Sequence, residues 1–226
     1  MSNAYADRVE AGQRLAQALS HLQGRDDLVV LGVARGGVVV AAEVARALRA
    51  LLDVTIVRKI GAPADAEFAI GAVGEGAARV LHLQTIREMR VPEAYLEAET
   101  LHQQAEVQRR LALYRGGRPP LPLAGKTVVL VDDGIATGAT MGATLEALRG
   151  RRPARLILAV PVAARQALEQ LAPGADEVVC PLVPEVFWAV GSFYRRFPPV
   201  PDEEVMRLLQ TCGAQPQEGE APSIRS

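Results

Sequence analysis

Aromatic and cysteine residues are scarce in this sequence. Phenylalanine, tryptophan and tyrosine together make up 4% of the 226 residues, and the two cysteines are Cys180 and Cys212. Cys180 ends an apolar run and Cys212 lies in a polar stretch, so we expect two free thiols in a reducing compartment rather than a disulfide. The histidines, His21, His82 and His102, are scattered without metal-ligand spacing, which argues against a zinc site built by the protein.

An excess of charge of either sign is also missing. The formal net charge is −1, so electrostatics gives no reason to expect a nucleic acid as partner. No apolar run reaches the length of a membrane span, and the N-terminal MSNAYADRVEAGQRL lacks the apolar core of a signal peptide. Hydrophobic residues make up 49% of the chain, which is enough for a substantial core. We therefore expect a soluble, cytoplasmic protein without a membrane or nucleic-acid partner.

The sequence does contain a series of apolar segments that alternate with helical patterns. Each segment is apolar throughout rather than at every second residue, which indicates parallel strands covered by helices on both faces. The sequence thus predicts an α/β fold with a doubly wound parallel sheet. We expect a single domain over residues 1–210 and a disordered tail over residues 211–226. The apolar segments are LVVLGV, DVTIVRKI, KTVVLVDD, RLILAVPV and DEVVCPLV.

Three other segments are predicted to be added to this sheet. The stretch EFAIGAVGEGAARVLHL is typical of a β-hairpin with its turn at residues 74–76. An insertion over about residues 84–120 contains a long helical pattern at residues 93–115. Residues from about 184 to 210 are predicted to form a small C-terminal lobe.

The helical insertion has two interpretations. Gly116 and Gly117 stand between Arg115 and Arg118, an arrangement that would suit the hinge of a cationic lid. A helical pattern of this length more often packs at a dimer interface or braces the core, and we favour that interpretation. A homodimer is one of the assemblies that it allows.

The stretch LVDDGIATGAT, residues 130–140, places two carboxylates at the tip of an apolar strand and follows them with small and hydroxyl-bearing residues. Ligands of doubly wound sheets bind beyond the carboxyl ends of the strands. Carboxylates only accept hydrogen bonds, so Asp132 and Asp133 suit a vicinal diol such as that of ribose. Backbone N–H groups at the start of the following helix, with two threonine hydroxyls, suit a phosphate. Together these features predict a ribose 5-phosphate ligand.

Other interpretations of this stretch fit less well. A Walker A loop requires a lysine, and this loop has none. A dinucleotide fingerprint has its glycines before its acid, and GVARGG lacks the second glycine of that pattern. The acid pair of a receiver domain follows the first strand, not the third. A solvated acid pair with a threonine N-cap is the plain structural alternative.

The residues VVLVDDGIATGAT resemble the 5-phosphoribosyl-1-pyrophosphate (PRPP) signature of the type I phosphoribosyltransferases. The segments GVARGGVVVAAEVARAL and VRKIGAP are similar to a bacterial branch of that family, and the resemblance extends over about residues 28–183. It implies that Asp132 and Asp133 hold the ribose hydroxyls, directly or through Mg²⁺. It also implies a 5-phosphate cradle formed by Ala136, Thr137, Gly138, Ala139 and Thr140. We expect a β-branched side chain at Gly138 to enter the space of that phosphate and to be unable to follow an unusual backbone angle.

Cations near the same edge are expected to bind pyrophosphate. Within ARGG, Arg35 offers a bidentate fork, while Gly36 and Gly37 let the backbone approach closely. Arg58 and Lys59 are predicted to end the second strand, as a similar pair does in orotate and adenine enzymes of the family. We predict that Arg35, Arg58 and Lys59 act with the two aspartates as the catalytic set. The alternatives are a surface arginine on an ordinary turn and a solvated strand end.

The acceptor is left open by the sequence. Ala136 stands where hypoxanthine and guanine enzymes carry an aspartate, which weighs against a 6-oxopurine enzyme of that design. Gly134 replaces a bulkier aliphatic residue that is usual in the family. The segment VPEVFWAVGSFYRRF resembles the base-stacking hood of the hypoxanthine enzymes, so Phe187 and then Trp188 are candidates to contact a base. These aromatics would otherwise anchor the lobe to the sheet.

Two functions follow from this reasoning. The first is a Mg²⁺-dependent phosphoribosyltransferase that moves ribose 5-phosphate between PRPP and a nitrogen acceptor such as a nucleobase, with pyrophosphate as leaving group. The second is a PRPP- or nucleotide-binding regulatory module with little turnover. Both require the same binding site, so the sequence does not separate them.

Overall fold

The computed structural model of the protein describes residues 5–75 and 79–212. The predicted tail lies outside these residues beyond Cys212, and so does part of the predicted hairpin turn. Eight strands and seven α-helices are found within the described ranges. The strands are β1 (Leu28–Val33), β2 (Leu51–Thr55), β3 (Arg58–Ala62), β4 (Asp65–Val73), β5 (Arg79–Leu81), β6 (Thr127–Val131), β7 (Arg155–Ala159) and β8 (Glu177–Val179). The helices are α1 (Arg8–Ala18), α2 (Gly36–Leu48), α3 (Leu83–Glu88), α4 (Glu93–Arg115), α5 (Ala139–Gly150), α6 (Arg165–Leu171) and α7 (Asp202–Cys212).

A five-stranded parallel sheet forms the centre, in the order β2-β1-β6-β7-β8. Every residue of β1 and of β6 is buried, because helices cover both faces of these strands. Val30 packs with residues of α2 on one face, and Leu31 packs with residues of α5 on the other. The predicted doubly wound α/β fold is therefore confirmed.

A second, antiparallel sheet in the order β3-β4-β5 follows β2. Its presence corrects one prediction: β2 ends at Thr55, and Arg58 and Lys59 begin β3 instead of ending the second parallel strand. The run DVTIVRKI gives no sign of this break, because apolar residues occur on both sides of it. Gly61 lies within β3 at its close approach to β4, where a Cβ would lie 2.6 Å from the carbonyl oxygen of Ala66.

The long helix α4 packs into the main core. Val107, Leu111 and Tyr114 are buried there together with residues of α2 and α7. Arg115 is also buried, and its guanidinium pairs with Asp53 of β2 at 2.9 Å and with Glu75 of the hairpin. This packing is that of a core brace, and it gives Arg115 no role on a mobile lid.

Candidate active site

The predicted ligand edge is formed where β1 and β6 end side by side. These strands pair in parallel, with Gly32 opposite Val131. The chain leaves β1 through Ala34 and Arg35 and leaves β6 through Asp132 and Asp133. Two segments that are distant in sequence therefore meet at one edge of the sheet, as the apolar strands predict.

The two glycines of ARGG pack directly against the acid pair. A Cβ on Gly36 would lie 1.9 Å from Oδ2 of Asp133, and a Cβ on Gly37 would lie 2.8 Å from Oδ1 of Asp132. Any side chain at Gly36 would displace the carboxylate. The structure thus brings together four of the residues singled out from the sequence, and it explains why the loop needs glycine.

Burial governs the charge of the acid pair. It raises the pKa of Asp132 well above its ordinary value, and the neighbouring Asp133 carboxylate raises that pKa further. Burial also raises the pKa of Asp133, while a hydrogen bond from Arg8 acts in the opposite direction. Hydrogen-bond donors of a ligand would therefore stabilise the ionised form of the pair, because hydrogen bonds to an ionised carboxylate offset the cost of burying it.

The contact between Arg8 and Asp133 is a feature that sequence reasoning missed. Nε of Arg8 donates to Oδ2 of Asp133 at 2.7 Å, across a separation of 125 residues. Arg8 begins an ordinary amphipathic helix, whose N-cap Asp7 accepts from two backbone N–H groups. Only the oddity of a cation in the first turn of a helix distinguishes Arg8, and that signal is weak.

The loop after the acids is anchored at its middle and open at its end. Ile135 donates to the carbonyl of Val162, and Ala164 donates back to the carbonyl of Ile135. Helix α5 then begins at Ala139, so the N–H groups of its first turn face the loop without intrahelical acceptors. Ala136, Thr137 and Thr140 are exposed beside them. This arrangement suits a phosphate.

Two glycines of this loop have structural reasons, and one of them is the unusual backbone angle expected at Gly138. Gly138 is the N-cap of α5 and adopts φ 79°, which L side chains rarely take. A Cβ there would lie 3.1 Å from Leu171 of α6. At Gly134 a Cβ would lie 2.5 Å from Val190 of the C-terminal lobe, which accounts for the missing aliphatic side chain.

Arg35 extends from the β1–α2 loop toward α7. Its Nη1 lies 3.6 Å from Oδ1 of Asp202, and both side chains are partly exposed. The hydroxyl of Tyr114 donates to the same carboxylate oxygen at 2.6 Å. The predicted pyrophosphate arginine is therefore present at the edge, with a protein anion close to its guanidinium.

Comparison with known proteins assigns the family. A family model described as the phosphoribosyl transferase domain matches residues 3–197. The chain belongs to the phosphoribosyl transferase family. The resemblance stated from LVDDGIATGAT is thereby confirmed.

Relatives of this chain include a protein whose structure has been solved. TT1426 from Thermus thermophilus shares 47% sequence identity with a TM-score of 0.81, covering 93% of this chain and 100% of that chain. A Mycobacterium tuberculosis H37Rv protein, provisionally named a phosphoribosyl transferase, is 45% identical over 205 residues. That match covers 91% of this chain and 46% of the relative, so the chain spans about half of its length. A bifunctional protein PyrR from Roseiflexus sp. RS-1 is 32% identical over 124 residues, which is 54% of this chain and 62% of that protein.

The remaining predicted residues of this chain lie in other parts of the structure. Arg58, in β3, donates through Nε to Gln103 of α4. The ring of Phe187 packs on that of Phe193, with centroids 5.1 Å apart, as an anchoring residue would. Trp188 is 87% exposed and is the more open of the two aromatic candidates.

Two kinds of feature are missing from the described residues. Within residues 5–75 and 79–212, no group of three or more His, Cys, Asp or Glu side chains is arranged to hold a metal ion. None of the helices in the described ranges is both long and apolar enough to span a membrane.

Proposed function

We propose that the protein is a PRPP-dependent phosphoribosyltransferase. It transfers ribose 5-phosphate between PRPP and a nitrogen acceptor of the nucleobase class, with pyrophosphate as leaving group. The observation that carries this proposal is the contact of Gly36 and Gly37 with Asp132 and Asp133, directly beside the start of α5. The carboxylates proposed to accept the diol, the close-approach loop and the helix start proposed to bind the phosphate thus lie at one edge of the sheet.

The acid pair and the loop after it would hold the sugar phosphate. Asp132 and Asp133 accept hydrogen bonds from the ribose hydroxyls, and Asp133 keeps acceptor capacity after its contact with Arg8, because a carboxylate has about four lone-pair sites. The 5-phosphate binds the N–H groups of residues 136–140 and the hydroxyls of Thr137 and Thr140. These contacts fix C1 of the ribose relative to both the leaving group and the acceptor.

Charge stabilisation is the second contribution of the protein. The bond from C1 to the pyrophosphate oxygen breaks with its electron pair on pyrophosphate, and a new bond forms from the acceptor nitrogen, which loses its proton. Positive charge that develops on the ribose is favoured by the adjacent carboxylates. Arg35 neutralises pyrophosphate, and Arg58 and Lys59 are proposed to assist from β3.

Magnesium fits this site as an ion carried by the substrate. The carboxylate oxygens of Asp132 and Asp133 are of the type that Mg²⁺ prefers, but two neighbouring side chains supply only part of its coordination. The phosphates of PRPP and water would supply the rest. When bound, the ion neutralises charge on the leaving pyrophosphate.

The acceptor would bind against the C-terminal lobe. Trp188, exposed beside the partly buried Phe187, offers an open aromatic face for a flat heterocycle. Cys180 and Cys212 are both free, which fits action in the reducing cytoplasm.

Two measurements test the proposal. Calorimetry should detect binding of PRPP with Mg²⁺, and a pyrophosphate-release screen against purines, pyrimidines and small amines should identify the acceptor. Absence of binding to PRPP and to ribose 5-phosphate alike would refute the proposal. Binding without turnover on the whole panel would favour the regulatory module instead.

A further inference from the structure

A buried arginine from the beginning of the chain contacts the acid pair. Arg8 is 8% exposed and is the first residue of α1. A cation is disfavoured there, because the N-terminus of a helix is the positive end of its dipole. Burial adds a further cost for any guanidinium that lacks good partners. The partners of Arg8 must therefore account for its position.

Three groups from two distant parts of the chain surround this guanidinium. Nε donates to Oδ2 of Asp133 at 2.7 Å, and Nη1 donates to the carbonyl of Pro198 at 2.8 Å. The guanidinium carbon lies 3.7 Å from the centroid of the Phe197 ring. A planar fork can make these contacts together, whereas a lysine ammonium is a point charge on a flexible stem. Arg8 thus joins Asp133 to residues 193–198, which we call the return segment.

The return segment contacts Asp133 a second time. The hydroxyl of Tyr194 donates to the backbone carbonyl of Asp133 at 2.5 Å. The same segment pairs with the N-terminal residues, since Tyr5 donates to the carbonyl of Phe193 at 2.8 Å and Arg195 donates back to Tyr5 at 2.9 Å. Asp133 is therefore held at its carboxylate and at its main chain by one assembly.

Asp132 is held differently. Its Oδ1 accepts a hydrogen bond from the N–H of Asp133 at 2.8 Å, and it makes no ion pair with any residue in the part of the chain that the structure describes. Within the acid pair, Asp133 is the residue that accepts hydrogen bonds from Arg8 and from the return segment. That segment also contacts the acceptor side, because Phe193 packs on Phe187.

On the basis of the proposed function, we propose that Arg8 is a positioning residue that orients Asp133 for the ribose hydroxyls. Arg8 makes this orientation depend on the return segment. Ribose binding and the C-terminal lobe are coupled through the Arg8 guanidinium at the carboxylate of Asp133, beside the contact that Tyr194 makes with its main chain. Pyrophosphate, which has no diol, does not need this coupling.

Separate calorimetric titrations with ribose 5-phosphate and with inorganic pyrophosphate test the inference. Arg8→Met keeps much of the apolar stem and removes both hydrogen bonds. We expect it to weaken ribose 5-phosphate binding about 10-fold to 100-fold, as for the loss of a hydrogen bond to a charged group, and to change pyrophosphate binding less than about twofold. Arg8→Lys should give a smaller loss. The matched control is Arg14→Met on the same helix, where an exposed arginine pairs with Glu10, and it should bind both ligands as the parent does.

Hydrogen–deuterium exchange separates the possible failures. In Arg8→Met, protection should fall together in residues 133–138 and in the return segment, and nowhere else. Parent-like binding of ribose 5-phosphate by Arg8→Met overturns the inference. If Arg8→Met does not fold, Arg8→Lys is measured instead. Parent-like binding of ribose 5-phosphate by Arg8→Lys would then overturn the inference. If the parent binds neither ribose 5-phosphate nor PRPP, the proposed function fails, and unchanged exchange in both segments would then overturn the coupling as well.

Discussion

The carboxylate of Asp202, at the start of α7, lies 3.6 Å from the guanidinium of Arg35, at the end of the β1 loop. The two side chains are 39% and 42% exposed, so water and salt weaken their attraction. Pyrophosphate carries more charge than one carboxylate, so under the proposed function we expect it to displace Asp202 from Arg35. Asp202 would then compete with pyrophosphate for Arg35.

Replacing Asp202 by Asn should tighten pyrophosphate binding about twofold to fivefold at low salt, since one elementary charge is removed from a screened site. The amide oxygen can still accept from Tyr114, so the packing of α4 on α7 should survive. Calorimetry at two ionic strengths measures the effect, which should shrink at the higher one. Glu203→Gln makes the same charge change on the same helix turn and is the control. Weaker binding in Asp202→Asn would show that Asp202 holds Arg35 in place instead of competing.

Asp132 should reduce the stability of the fold at neutral pH. Its pKa in the folded protein is raised by burial and by Asp133. The unfolded chain therefore loses this proton at lower pH than the folded one, and stability falls as pH rises from the ordinary pKa through the raised pKa. Asp132→Asn removes the penalty, so its melting temperature should exceed that of the parent by a few degrees at pH 8. The difference should narrow toward pH 5.

Asp176 offers a control of opposite sign. A hydrogen bond from Arg149 and another from the N–H of Leu156 lower its pKa. Its contribution to stability is present above the ordinary pKa and is lost as pH falls through the lowered value. Asp176→Asn should accordingly melt below the parent at pH 8. Scanning calorimetry without Mg²⁺ measures both variants, and equal shifts in the two would contradict the assignment of the Asp132 penalty.

Gly36→Ala should weaken binding of PRPP without unfolding the protein. The added Cβ would lie 1.9 Å from Oδ2 of Asp133, so the carboxylate must move away from its ligand position. We expect a loss of affinity of at least about 10-fold, the size of a lost charge-assisted hydrogen bond. Gly150→Ala, where a Cβ meets nothing within 4 Å, should bind normally and gain about 0.5–1 kcal/mol of stability. Unchanged PRPP affinity in Gly36→Ala would contradict the close approach of the two loops.

Gly138 should tolerate asparagine better than valine. The backbone at this position has φ 79°, a conformation that asparagine visits and that a β-branched residue avoids. Both residues place a Cβ near Leu171, so the contact with α6 is matched. We expect Gly138→Asn to keep more affinity for ribose 5-phosphate than Gly138→Val, as measured by calorimetry. Equal losses would point to the contact with Leu171 as the cause.

The sheet and the acid pair could be predicted because their signals are local. Buried parallel strands are apolar at every position, and LVDDGIATGAT carries its strand, acids and phosphate turn in one stretch. Arg58 was misplaced because an apolar run does not reveal where one strand stops and another begins. Arg8 was missed because the sequence of α1 is that of an ordinary surface helix. Its burial depends on Asp133 and Pro198, which are folded against it from more than a hundred positions away.

The pairing of Tyr5 with residues 193–195 has a consequence for biosynthesis. During translation the parallel sheet can form as its strands emerge, but Arg8 gains its last partner only after Pro198 has left the ribosome. Until then the Arg8 guanidinium of a nascent chain can contact Asp133 but not the carbonyl of Pro198. Long-range contacts of this kind form late, because the intervening chain must be ordered first. If Arg8 has the proposed positioning role, competence to bind the sugar phosphate depends on a segment that is synthesised after every strand of the parallel sheet.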